Sequence, residues 1–171
     1  MTINTNPDIH NLIICANMFV KKDNKILMIK RSSDKKYLPG YIQPVGGKVE
    51  LNEDPLTAAQ RELKEESGLT ARDIKLEAVI TEVIQKDDNL YKTTWLIYYF
   101  SGTYMSGNLG ETDEGELIWL TKDQIRNEKI LTSLKSILNE ILTTTPGTVF
   151  AKFVYDNKYH IIDKQIQKTT L

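Results

Sequence analysis

Residues 11–21 and 25–31 are largely apolar and read as two strands, the second setting Ile26, Met28 and Lys30 against Leu27, Ile29 and Arg31. A period of two predicts strands, and the polar Asp23-Asn24 between the two runs predicts a hairpin. The stretch 32–47 is polar and loop-rich, with a turn at Pro39-Gly40 and with Pro44 restraining the approach to Gly46-Gly47. The rhythm then changes: Leu56, Ala59 and Leu63 recur at helical spacing and are predicted to face inward. Asp54 suits the cap of that helix, Pro55 its first position and Gly68 the residue just past its end. Residues 74–84 and 91–100 are rich in β-branched and aromatic side chains and predict a longer hairpin around Lys86-Asp87-Asp88-Asn89. A short strand is expected at 117–120. Thr121 and Gln124 form a capping box, and Ile130, Leu134, Ile137, Leu138, Ile141 and Leu142 predict one second amphipathic helix, ended by Pro146-Gly147. The segment 149–162 alternates like two short strands about Asp156-Asn157.

This order, β, β, loop, α, β-hairpin, β, α, β-hairpin, predicts an α/β protein: a mixed β-sheet between helices, an α/β/α sandwich. Neither an internal repeat nor a low-complexity linker interrupts it, so residues 1–171 are expected to form a single domain with its core at about 12–163.

Charge narrows the function classes. A net charge of −1 offers no basic surface for nucleic acid or membrane, and neither is expected as a partner. The opening polar segment has no basic region followed by an apolar one, and the apolar run 12–20 is too short to span a bilayer, which predicts a cytoplasmic protein. Cys15 is the sole cysteine and sits in a predicted strand, where a buried inert thiol is expected. His10 and His160 have no ligand partner nearby in sequence and are assigned to surface or edge positions. Trp95, Tyr98, Tyr99 and Phe100 are assigned to the core, with stacking on a nucleobase as the alternative role.

The candidate chemistry lies in residues 46–69, GGKVELNEDPLTAAQRELKEESGL. Glu62, Glu65 and Glu66, spaced i, i+3 and i+4, share one helix face. Like charges at that spacing destabilise a helix by about 0.2–0.5 kcal/mol per pair unless a positive charge sits among them. A divalent cation would supply it, and oxygen ligands without paired His or Cys select Mg²⁺ or Mn²⁺ over zinc. A solvated acidic face offset by Arg61 and Lys64 is the alternative.

The spacing Gly47, five residues, Glu53, seven residues, Arg61-Glu62-Leu63, one residue, Glu65-Glu66, one residue, Gly68-Leu69 resembles the Nudix box with every defining position filled. The resemblance implies the Nudix fold and a metal site at Glu62, Glu65 and Glu66 with Gly46. It also implies that Arg61 pairs with Glu53 to brace the loop against the helix. Gly46 and Gly47 would let backbone approach the metal and phosphates, and Lys48 would help neutralise the phosphates. A late-loop acid would complete the cluster, Glu111 first and Glu114 second. Arg31 is a further candidate phosphate contact.

Three further stretches, EESGLT after GGKVE, ETDEGELIW, and VFAKFVYDNKYHIID, are similar to the MutT-type branch, which hydrolyses oxidised purine nucleoside triphosphates. The proline typical of ADP-ribose hydrolases is replaced by Ile84, and Ile84, Gln85 and Lys86 offer no tyrosine of the dinucleoside-polyphosphate type. Where the branch often has an aromatic and an asparagine, this chain has Ile42 and Gln43, and the Gln43 amide can still read a base edge. The resemblance thus implies a Mg²⁺-dependent pyrophosphohydrolase cleaving a nucleoside triphosphate, with 8-oxo-dGTP as candidate, to monophosphate and pyrophosphate. Hydrolysis of another nucleoside diphosphate derivative such as ADP-ribose, or a non-catalytic ligand sensor, is the alternative. The general base is left among Glu65, Glu53 and a late-loop acid, and the chain is expected as monomer or homodimer.

Overall fold

A computed structural model describes residues 11–85 and 91–169. The opening segment with His10 and the turn Lys86-Asp87-Asp88-Asn89 lie outside the described residues. The first predicted hairpin is present as β1 (Leu12–Lys22) and β2 (Lys25–Arg31), but its strands pair only at Lys21↔Ile26 and Lys22↔Lys25 before they part. Into the gap comes a piece of the stretch expected to be loop. After β3 (Ile42–Gln43), β4 (Val45–Lys48) runs antiparallel to β1, with Ala16 opposite Gly47 and Asn17 opposite Gly46. Helix α1 (Pro55–Ser67) follows.

The long hairpin is β5 (Thr70–Gln85) and β6 (Tyr91–Ser106), and β6 runs parallel to β1 from Leu12↔Thr94 to Lys21↔Thr103. Strand β7 (Gly115–Thr121) pairs with β2, and β8 (Thr148–Tyr155) and β9 (Ile161–Thr169) extend the sheet beyond β5. The order is β3-β2-β1-β6-β5-β8-β9, with β4 on β1 and β7 on β2. Parallel and antiparallel pairs thus share one mixed sheet.

Alternation along β1 makes two cores. Ala16, Met18 and Val20 pack with Val45, Ala58, Ala59 and Leu63 under α1, while Phe19 packs with Ile80, Tyr99 and Phe153 on the opposite face. That second face is covered by α2 (Lys122–Asn127) and α3 (Thr132–Ile137) through Ile125, Leu134 and Ile137. Each such fully buried side chain contributes about 1.5–3 kcal/mol of transfer free energy. Helices on both faces make the α/β/α sandwich.

Three expectations need correction. The single second helix is two: Thr121 and Gln124 do form the capping box of α2, but Glu128 is extended (φ −86, ψ 166) and interrupts the run. The Ile42 N–H donates to the Lys129 carbonyl at 2.8 Å, so the linker joins β3 and cannot continue the helix ladder. The chain then leaves α3 before Pro146, with Leu142 at φ 57 and turns up to Gly147. Leu56 is 38% exposed; the inward face of α1 is Ala58, Ala59, Leu63 and Ser67, whose small residues let the helix lie close to the sheet. Tyr99 and Phe100 are core residues, on opposite faces. Among the described residues no helix is long and apolar enough to cross a membrane.

Candidate active site

Both ends of α1 are set by local hydrogen bonds. Asp54 Oδ1 accepts from the Leu56 and Thr57 N–H groups at 2.9 and 3.1 Å, Pro55 occupies the first turn, and Gly68 at φ 75 donates its N–H to Lys64 O at 2.9 Å. With both ends fixed and Leu63 inward, Glu62, Glu65 and Glu66 line one groove of about 900 Å³ on the helix flank. The loop before β7 supplies the opposite wall with Glu111, Asp113 and Glu114, and β7 itself adds Glu116, so seven carboxylates surround one space.

Arg61 is the positive centre of the helix side. Its guanidinium grips Glu53 with two bonds, Nη2 to Oε1 at 2.7 Å and Nε to Oε2 at 3.1 Å. Nη1 donates to Glu62 Oε1 at 2.9 Å and to Glu65 Oε2 at 3.1 Å, and Nη2 to the Lys48 carbonyl at 3.2 Å. A planar fork suits this multiple grip as an ammonium does not. The same guanidinium holds the Glu53 carboxyl below the usual carboxylate range, and Glu53 in turn accepts the Glu50 N–H at 2.8 Å. The brace between loop and helix is therefore present.

Glycines shape the floor. Gly46 has φ 153, and a Cβ there would lie 2.3 Å from the Ala16 carbonyl oxygen, because β4 presses against β1. At Gly47 a Cβ would lie 2.4 Å from Glu62 Oε1, so the missing side chain is the room the carboxylate occupies. The Gly46 N–H donates to Glu66 Oε2 at 3.1 Å. Burial pushes the Glu66 carboxyl up to about 7 against that hydrogen bond, with Glu62 and Glu114 adding to the rise and Arg31 opposing it. Burial also raises Glu62, and Arg61 opposes it.

Burial is the largest cause of the rise at Glu66, ahead of the charged neighbours. The groove's acid donors are all carboxylate oxygens, with no His or Cys lining it, which fits a hard divalent cation such as Mg²⁺ or Mn²⁺. Among the described residues no three acids converge in ligating geometry: Arg61 takes an oxygen of both Glu62 and Glu65, and Gly46 takes one of Glu66. A cation entering here competes with the guanidinium for those oxygens.

The remaining expected residues are more dispersed. Glu111 lines the groove and makes no ion pair with a described residue. Glu114 is held by Lys35 at 2.8 Å and by Arg31 at 3.7 Å. The Lys48 side chain is exposed at the end of β4, and Gln43 is half-buried in β3 opposite Ile29. Cys15 is partly buried, and burial raises its thiol to about 11, as an inert thiol requires. His160 is exposed in the last turn against Asp156 at 3.1 Å.

Two features had no sequence signal strong enough to find them. Lys35 is one of two adjacent lysines in a polar loop, and only the fold brings it to Glu114, 79 residues away. On the α3 side of the sheet, Glu82 accepts hydrogen bonds from Ser133 Oγ and, at 3.3 Å, from the Tyr155 hydroxyl, and its burial raises its carboxyl. Glu82 reads in sequence as a polar position of an alternating strand.

Comparison with known proteins adds the following. Residues 12–140 match the family model described as the NUDIX domain. An uncharacterised Nudix hydrolase of Bacillus subtilis, YvcI, is 23% identical over 151 residues, covering 88% of this chain and 92% of that protein. The 8-oxo-dGTP diphosphatase of Escherichia coli is 28% identical over 129 residues, covering 74% and 98%. In structure, the MutT protein from Bacillus halodurans superposes with a TM-score of 0.80 at 22% identity, covering 91% of this chain and 97% of its own.

Proposed function

This chain belongs to the NUDIX domain family, hydrolases of phosphoric anhydride bonds, and from that premise we propose that it is a Mg²⁺-dependent pyrophosphohydrolase of nucleoside triphosphates. The products are a nucleoside monophosphate and pyrophosphate, and 8-oxo-dGTP is the first substrate to try, because the Escherichia coli relative is named for it. The observation that carries the reading is that Glu62, Glu65, Glu66 and Glu111 line one groove beside an Arg61–Glu53 brace.

Glu62, Glu65 and Glu66, with Gly46 and Glu111, would hold the cation. When bound, Mg²⁺, or Mn²⁺ in its place, neutralises phosphate oxygens and makes a water a better nucleophile. Arg61 keeps Glu53 and its loop against α1, so the acids stay in register with the glycine floor. Gly47 admits the phosphates closely, and Lys48 and Arg31 offset their charge. Gln43 offers an amide to the base edge. The proton of the attacking water goes to an acid of this site, with Glu65, Glu53 and Glu111 as candidates. The substrate is a free nucleotide, and the reading needs neither nucleic acid nor a membrane. A cytoplasmic monomer or homodimer suffices for it.

The test is a Mg²⁺-dependent panel of 8-oxo-dGTP, dGTP, other nucleoside triphosphates, ADP-ribose and diadenosine polyphosphates, with products resolved by chromatography. Monophosphate plus pyrophosphate from a triphosphate supports the proposal. Preference for ADP-ribose overturns the substrate assignment, and binding without turnover of any member favours a ligand sensor.

A further inference from the structure

Beside the acidic groove lies a second cavity of about 670 Å³, which shares Thr112, Asp113, Gly115 and Glu116 with it. Its other wall is the end of β2 and the loop after it, including Lys30, Arg31 and Ser32. Glu114 stands on the groove side of the shared wall, with Oε1 2.8 Å from Lys35 Nζ and Oε2 3.7 Å from Arg31 Nη1. The Glu114 backbone is pinned. Its carbonyl accepts the Ser32 N–H at 3.0 Å, and the next residue, Gly115, pairs with Arg31 so closely that a Cβ there would lie 2.0 Å from the Lys30 carbonyl oxygen. Its side chain is held by the two cations and is 39% exposed, so it can leave them without moving the backbone.

Arg31 is better fixed than the acid. Arg31 is 17% exposed in its side chain and donates Nε to the Tyr37 carbonyl at 3.0 Å, which leaves the rest of its fork to Glu114. Two cations converging on one carboxylate beside an open cavity form an anion site that already contains an anion of the chain's own. We propose that Glu114 is an internal competitor for an anion site made by Arg31 and Lys35, and that a polyphosphate occupies the site by displacing it. The choice of polyphosphate rests on the hydrolase reading above. Several charged oxygens on one ligand satisfy two cations better than a single carboxylate does, through charge-assisted bonds. The cost is a lower apparent affinity, since only the fraction of molecules with Glu114 released binds.

The experiment is calorimetric titration of inorganic triphosphate into the full chain, without divalent cation, in EDTA at fixed ionic strength. Removing the competitor in Glu114→Gln is expected to tighten binding by roughly fivefold, and Lys35→Met to weaken it by about as much. In the Lys35→Met background, Glu114→Gln is expected to gain less than about twofold, because the competitor and its site are then uncoupled. Glu116→Gln removes the same charge from the same wall, and Lys36→Met the same charge from the neighbouring position. Each is expected to change binding by less than about twofold. No tightening in Glu114→Gln, an equal gain in Glu116→Gln, or no binding by the unmodified chain would overturn the proposal. Circular dichroism and thermal midpoints verify that each variant is folded. Nucleotide turnover with Mg²⁺ is scored apart: this binding pattern in a chain that hydrolyses nothing removes the hydrolase reading and keeps the site, and turnover without the pattern does the reverse.

Discussion

The two adjacent glycines ahead of α1 should fail in different ways when each is changed to alanine. At Gly46 the added carbon meets backbone, 2.3 Å from Ala16 O and 2.6 Å from Asn17 Cα, at a φ of 153. Neither strand can yield without breaking the β1–β4 pairing, so Gly46→Ala is expected to cost about 2–4 kcal/mol of folding stability. At Gly47 the obstacle is the Glu62 carboxylate, at 2.4 Å from Oε1 and 2.5 Å from Cδ, the mobile end of a side chain. Glu62 can swing aside, and the loss is its 2.9 Å bond to Arg61. Both partners are partly exposed, which limits that loss to about 1 kcal/mol. A displaced Glu62 no longer faces the groove with Glu65 and Glu66, and Mn²⁺ affinity is expected to fall about 10–100-fold, with Mg²⁺-dependent turnover falling at least as far. Urea denaturation and calorimetry with Mn²⁺ measure the two quantities on the same samples. If Gly47→Ala bound Mn²⁺ within about threefold of the unmodified protein, Glu62 would have no part in holding the cation.

Other outcomes follow from the same geometry. The Glu65 side chain is 61% exposed against 16% for Glu62, so Glu65→Gln should leave the urea midpoint nearly unchanged. Its turnover should drop by about 10²–10³, and near-normal hydrolysis would remove Glu65 from the site. Burial holds the Glu66 carboxyl at about 7, and a cation needs it ionised. Cation affinity should therefore rise by about tenfold per pH unit below that value and level off above it; an affinity flat from pH 5.5 to 8.5 would contradict this. Glu82 gives the opposite kind of pH effect, on stability. Its folded carboxyl lies above the ordinary 4.5, so the unfolded chain loses this proton first and stability declines as pH rises from 4.5 through the folded value. Glu82→Gln keeps an acceptor for Ser133 and Tyr155, and should stabilise the fold more at pH 8 than at pH 4 in urea titrations. Equal effects at both pH values would refute the burial argument.

Helix α1 was legible in the sequence almost to the residue, because its limits are decided by groups within four positions of one another: Asp54 with Leu56 and Thr57, Gly68 with Lys64. The face shared by Glu62, Glu65 and Glu66 follows from helix geometry once those ends are known. Most strands were legible too, though β3 and β4 lie in the stretch read as loop, and β1 does send Met18 and Phe19 to opposite cores. A local pattern cannot say which strand lies beside which. The parallel pairing of β1 with β6 and the wedge of β4 between β1 and β2 depend on closing long loops around one shared sheet. The break in the second helix is hidden from the sequence for the same reason: its apolar spacing is real, and its interruption comes from Ile42 bonding the Lys129 carbonyl. Carboxylates of the late loop were visible as residues, but not their partners. The amino-acid order alone therefore determined the acidic helix and its caps, whereas the Arg61–Glu53 brace followed only from the family resemblance. The tertiary structure decided which glycine makes room for which acid, how deeply Glu66 is buried, and that Lys35 and Arg31 reach Glu114, because burial and charge pairing depend on atoms that approach only when distant segments pack.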